Sequence, residues 1–163
     1  MAVVKELIER IKGAPIIGVI GASECDEGVY KQAYEVGRLI AERGATLICG
    51  GLGGVMEAAS RGAYEAGGLT IGVIPGFSAT DANPYVAVPI VTGLSHARNV
   101  IIVRTCQVAI AISGSYGTLS EIAFALTLNR PVVSLGSWEF DEKIVRAASP
   151  KDAVDKAFGI LKR

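Results

Sequence analysis

Thr118 and Glu121 stand three residues apart behind the glycine-rich run Ser113-Gly114-Ser115-Tyr116-Gly117, and this spacing is the first place to look for chemistry. Before it, Gln107–Ile112 is a short apolar run of the kind that forms a buried strand; after it, Leu119–Leu128 reads as a buried helix. A Gly-rich turn between a strand and a helix leaves backbone N–H groups exposed at the positive end of the helix dipole. That is an anion site, most often for phosphate. Thr118 would add a hydroxyl donor, and Glu121 a carboxylate one turn further on. A structural reading competes, because Thr118-Leu-Ser-Glu121 also fits a capping box.

A second turn of the same kind follows the apolar strand Thr46–Cys49. It comprises Gly50-Gly51-Leu52-Gly53-Gly54 and leads into a helix over 55–66 that Gly67-Gly68 closes. Two such turns in a small chain predict a bipartite ligand site holding at least one phosphate, with Gly51, Gly53 and Gly54 on one side. Gly114, Ser115, Tyr116, Gly117 and Thr118 form the other. Tight strand–helix packing is the alternative reading of the Gly50–Gly54 run. The first core strand, Ile16–Ile20, ends in Gly21-Ala22-Ser23, which places Gly21 and Ser23 on the same rim. Arg98 falls in the first turn of a helix expected from His96 to about Thr105, capped by Ser95. That is the wrong end for a cation, so a bound phosphate or carboxylate best explains it. Tyr116, at a loop tip, either stacks on a base or covers the turn.

The elements that must position these residues alternate along the chain. A first amphipathic helix carries Val4, Leu7, Ile8 and Ile11 and stops at Gly13. A second carries Ala33, Val36, Leu39 and Ile40 and closes at Gly44. Strands are expected at 69–74, 86–91, 107–112 and 131–135, with a last edge strand at 144–147. The segment 118–129 is a helix, and Ser149-Pro150-Lys151-Asp152 opens the final one. This alternation predicts an α/β fold: a Rossmann-like, doubly wound parallel sheet with helices on both faces, in one domain over 1–163. Ligands in that architecture bind at the carboxyl ends of the strands, where both Gly-rich turns lie.

Composition narrows the function. Sixteen basic and sixteen acidic residues balance, which gives no electrostatic reason to expect nucleic acid. Hydrophobic residues make up 50% of the chain, yet no apolar run is long enough to span a bilayer, so no membrane is expected. The charged residues among the first twelve do not fit a signal peptide. The 3 cysteines (Cys25, read as an exposed thiol, with Cys49 and Cys106) are odd in number and widely spaced, which predicts a reduced, cytoplasmic protein. The first strand lacks a GxGxxG turn, and no Gly-Lys-Ser/Thr P-loop occurs. Every lysine lies within 5–31 or 143–162, away from the central loops, which excludes lysine Schiff-base chemistry there. His96 has no partners at zinc-ligand spacing, so neither metal nor cofactor is expected.

The pairing of Gly50–Ala58 with Ser113–Glu121 resembles a Rossmann-fold superfamily long labelled "lysine decarboxylase". Its best understood members are the lonely-guy cytokinin riboside 5′-monophosphate phosphoribohydrolases, with the signature PGGxGTxxE after a helix bearing HERK. Gly114, Gly117, Thr118, Glu121 and Arg98 match, whereas Ser113, Ser115 and Asn99 replace Pro, Gly and Lys. These departures are similar to a shorter branch that includes molybdenum-cofactor carrier proteins, which bind a phosphorylated pterin without turning it over. The resemblance implies binding of a small phosphorylated ligand, a nucleoside monophosphate or a phosphorylated pterin, and assembly as a homodimer or larger homo-oligomer. It implies N-glycosidic hydrolysis of a nucleoside 5′-monophosphate, with Glu121 stabilising the ribosyl centre and Arg98 positioning phosphate or polarising the departing base. The alternative is a carrier that holds its ligand intact. Helices 96–105 and 118–129 carry more apolar surface than one sheet face needs, which independently predicts self-association.

Overall fold

The computed structural model describes residues 1–162. Seven strands form one sheet: β1 (Ile16–Gly21), β2 (Thr46–Cys49), β3 (Thr70–Ile74), β4 (Val88–Val91), β5 (Val108–Ile112), β6 (Val132–Leu135) and β7 (Ile144–Arg146). Their order is β4-β3-β2-β1-β5-β6-β7, and every neighbouring pair is parallel. The chain winds outward from β1 to β4, then returns to place β5 on the other side of β1. The crevice between β1 and β5 is therefore the topological switch point of a doubly wound sheet, as the strand–helix alternation requires.

Side-chain alternation along the central strands sorts the core into two layers. Val108, Ile110 and Ile112 of β5 face one layer, together with α2 (Glu27–Glu42), α3 (Val55–Glu65) and α6 (Pro150–Leu161). Ala109 and Ala111 face the other, under α4 (Asn99–Thr105) and α5 (Tyr116–Thr127). Both layers are fully apolar along β5, consistent with a strand buried on both faces. Cys25, expected as an exposed thiol, is instead partly buried against the first layer.

Two local expectations are corrected. Ser95 does not cap a helix running from His96. Its φ of 52° starts a 3₁₀ turn over Ser95–Arg98, and the α-helix begins only at Asn99. Helix α5 begins two residues before Thr118, at Tyr116, so Thr118 lies inside the helix and no capping box forms. The first helix, α1 (Ala2–Gly13), is amphipathic as expected but buries none of its residues. Leu7 and Ile11 lie beside Ala41, Gly44 and Gly68 at the amino ends of the strands, around a depression of about 250 Å³ remote from the Gly-rich turns. No helix among the described residues is long and apolar enough to cross a membrane.

Helices α2 and α3 approach to backbone contact. A Cβ at Gly37 would overlap the Ala59 carbonyl oxygen, and one at Gly62 would overlap that of Tyr34. Gly37→Ala is therefore expected to lower stability by about 2 kcal/mol or more through overpacking. Gly159→Ala, in α6 with nothing within 4 Å of the added carbon, should instead raise it by ~0.5–1 kcal/mol through helix propensity. Urea unfolding of the two variants beside the native chain checks both signs.

Candidate phosphate-binding cleft

Three loops meet at the carboxyl ends of the central strands: 21–23 after β1, 50–54 after β2 and 113–115 after β5. The last of these turns sharply into α5, with Ser113 and Gly114 at positive φ values of 48° and 114°. Gly114 is required here, because a side chain would collide with Thr118. Ser115 occupies the N-cap position but its side chain caps nothing. The caps of α2 and α6 behave differently: Asp26 accepts from the Val29 N–H at 2.8 Å, and Ser149 accepts from that of Asp152 at 3.1 Å. The N–H groups of Tyr116, Gly117 and Thr118 have no acceptor within their own helix. Beside them the Thr118 hydroxyl is buried, 2% exposed, and without a partner.

The opposite wall is built around Arg98, whose guanidinium turns inward and is only 6% exposed. Its Nε donates to the Val73 carbonyl at 2.8 Å, and Nη2 donates to the Gly50 carbonyl at 3.2 Å. Nη1 donates to Asn99 Oδ1. Asn99 Nδ2 then donates to Ser120 Oγ at 3.1 Å, and that hydroxyl donates to the Gly117 carbonyl at 2.7 Å. A guanidinium carries five N–H groups, so one remains on each terminal nitrogen. Burial lowers the Arg98 pKa from its ordinary value, while Glu121 acts against that shift.

Glu121 lies between the two walls. It is 6% exposed and makes no hydrogen bond or ion pair with the described residues. Burial pushes its carboxyl up to about 8, against the opposing pull of Arg98. Near neutral pH the free protein thus holds Glu121 largely protonated, as a hydrogen-bond donor.

The cleft enclosed by these groups is about 150 Å³. Gly21 and Ser23 line it from the first loop, Arg98 from the 3₁₀ turn, and Ser115, Gly117, Thr118 and Glu121 from α5 and its cap. Gly51, Gly53 and Gly54 do not line it. Gly54 is pressed against the backbone of Ala22–Glu24, and a Cβ at Gly51 would strike Ile74. Close packing of the second loop, the alternative read from the sequence, accounts for those contacts. That loop reaches the cleft only through Leu52 and, one turn on, Met56. Gly114 and Tyr116 also lie outside the lining. Ala22, Leu52, Met56, His96 and Asn99 complete it. His96, Asn99 and Met56 fall in the matched sequence elements, but none of the five is expected from the sequence to line the site.

Glu121 ionises near 4.5 in the unfolded chain but near 8 in the folded one. The folded state therefore holds the extra proton between those values, and stability falls as pH rises from about 5 to 8, with a slope of at most ~1.4 kcal/mol per pH unit. Glu121→Gln removes this component. Urea unfolding of both proteins at pH 5 and 8 should show a steeper loss for the native chain, and equal losses would contradict the raised pKa.

The family model described as the SLOG cluster4 family matches residues 14–158. The molybdenum cofactor binding protein of Rippkaea orientalis is 38% identical, with a TM-score of 0.86, over 91% of this chain and 98% of that one. The molybdenum cofactor carrier protein of Chlamydomonas reinhardtii is 36% identical, with a TM-score of 0.82, over 92% and 99%. The cytokinin riboside 5′-monophosphate phosphoribohydrolase of rice, Oryza sativa subsp. japonica, is 34% identical over 112 residues, which are 66% of this chain but 46% of that protein. With a match running from the first core strand into the last helix, the chain belongs to the SLOG cluster4 family.

Proposed function

We propose that this protein binds a small phosphorylated ligand, with the phosphate on the N–H groups of Tyr116, Gly117 and Thr118, and holds it intact as a carrier does. The observation that carries this reading is the unpartnered, buried Thr118 hydroxyl at a helix N-terminus with no side-chain cap. Burying a hydroxyl without a partner is costly, and a phosphate oxygen would satisfy it. The two remaining N–H groups of Arg98 would neutralise charge on the ligand, while protonated Glu121 would donate a hydrogen bond to it. Likeness to cofactor-binding and carrier proteins over nearly their whole length favours a phosphorylated pterin as the class of ligand.

The second reading is hydrolysis of a nucleoside 5′-monophosphate, favoured by Arg98 and Glu121 facing one cleft and by the phosphoribohydrolase relative. In that reaction the C1′–N bond breaks with its electron pair leaving on the base, which Arg98 polarises, water adds to C1′, and the proton it loses ends on the released base. Ionised Glu121 would stabilise the oxocarbenium-like ribosyl centre, so the rate should climb as pH approaches 8.

Thr118→Val separates a binding role from a packing role. Removing a buried, unsatisfied hydroxyl should leave the melting temperature equal or higher. Affinity for AMP or inorganic phosphate, measured calorimetrically, should fall by about tenfold, the size of one lost hydrogen bond to a charged group. A lower melting temperature with unchanged affinity would defeat the reading. Release of free base from a panel of nucleoside monophosphates, abolished in Glu121→Gln, would replace the carrier with the hydrolase.

Self-association belongs to the same proposal. Phe124 on α5 is 41% exposed, and on the edge strand β4 Val88 is 44% and Ile90 41% exposed, so apolar surface remains outside both core layers. A second copy of the chain is its proposed cover. Light scattering at micromolar concentration should give at least twice 16.9 kDa, and a clean monomer removes this part.

A further inference from the structure

At about 150 Å³, the cleft is well below the ~300–1,000 Å³ usual for small-molecule sites. It has room for a phosphate and part of a sugar, so the remainder of a nucleotide-sized ligand must lie outside its mouth. Two exposed aromatic rings adjoin the cleft-lining Ser115. Tyr116, 81% exposed, follows the cleft-lining Ser115 in the chain, and Trp138, 37% exposed, lies next to it. Their ring centroids are 6.3 Å apart, with 26° between the planes. Trp138 Nε1 donates to the Ser115 carbonyl at 3.2 Å, which ties the 136–142 loop to the start of α5. Ser134 Oγ donates to Glu139 at 3.2 Å and accepts from the Ser137 N–H at 3.1 Å, and Arg146 pairs with Glu139 at 2.7 Å. The indole is thus held in place before any ligand arrives, although most of the tyrosine ring faces solvent.

We propose that Tyr116 and Trp138 form the subsite for a planar heteroaromatic ring, purine-like or pterin-like, whose phosphate occupies the α5 cradle. The proposal rests on the phosphate reading above and adds the determinant of ligand class. Exposed aromatic faces favour flat π-systems of many kinds. The cradle would therefore supply the anchor common to all phosphorylated ligands, while the aromatic pair would discriminate heteroaromatic phosphates from sugar phosphates. A loop that joins β6 to β7, far in sequence from the motif, would then select the ligand.

Trp138 is the sole tryptophan, so its fluorescence reports on this subsite alone. Titration with AMP should quench or shift the emission, whereas ribose 5-phosphate and inorganic phosphate should bind without doing so. By calorimetry AMP should bind about tenfold or more tightly than ribose 5-phosphate, the effect expected of one base–aromatic stack. Tyr116→Ala and Trp138→Ala should each erase most of that preference while leaving ribose 5-phosphate affinity within about twofold of native. Trp138→Phe, which keeps a ring, should restore part of it. Equal binding of AMP and ribose 5-phosphate, with unchanged fluorescence, would overturn the aromatic subsite and leave the phosphate cradle standing. If none of the three probes binds, both fall.

Discussion

The buried guanidinium of Arg98 holds the site together. Its hydrogen bonds reach the carbonyl after β2, the carbonyl of Val73 in β3 and the first residue of α4. Through Asn99 and Ser120 the same network continues to the Gly117 carbonyl, in the first turn of α5. Elements from both halves of the sheet are thereby set relative to one another by a network centred on Arg98, with Asn99 and Ser120. A buried cation is costly unless its hydrogen bonds are made, and here main-chain and amide oxygens make them without a carboxylate partner. The positive charge is left uncompensated beside a cleft whose one carboxyl is largely protonated near neutral pH. A cleft with that balance favours an anion.

Side-chain caps close only α2 and α6 among the described α-helices, and α5, whose start faces the cleft, has none. The side chains of Asp26 and Ser149 cap α2 and α6, but Ser115 leaves α5 open. Non-glycine residues in left-handed backbone are uncommon, and two of the three here, Ser95 and Ser113, lie on loops that shape the cleft. Such conformations persist only where the surroundings hold them. Ser113 is held through its N–H on the Leu135 carbonyl, and Ser95 through its N–H on that of Pro75.

The glycine run after β2 has a different role from the one after β5. Gly54 allows the second loop to lie against the backbone of the first, and Gly51 allows it to pass under Ile74. Their lack of side chains serves close packing, which places Leu52 and Met56 at the cleft. Similar composition in two strand-to-helix turns therefore yields an open turn with free N–H groups in one and a packed support in the other. The difference lies in whether neighbouring backbone already fills the space a side chain would take.

Local pattern determined the elements, the parallel sheet and the strand end at which a ligand belongs. Apolar runs of strand length alternating with amphipathic stretches admit few other solutions, and right-handed crossovers limit them further. The run 113–121 and Arg98 could be singled out because residue type and spacing are visible in the sequence without any tertiary contact. Tertiary structure decided what depends on distant partners. Glu121 is no cap because α5 begins at Tyr116, and it became a protonated acid because burial, created by other elements, raises its pKa. Asn99 and Met56 entered the cleft, and Gly51, Gly53 and Gly54 left its lining, because contacts across the sheet determine which atoms face empty space. Trp138 meets the α5 turn because β6 and β7 lie beside β5 in the sheet, and no local period in the sequence encodes that meeting.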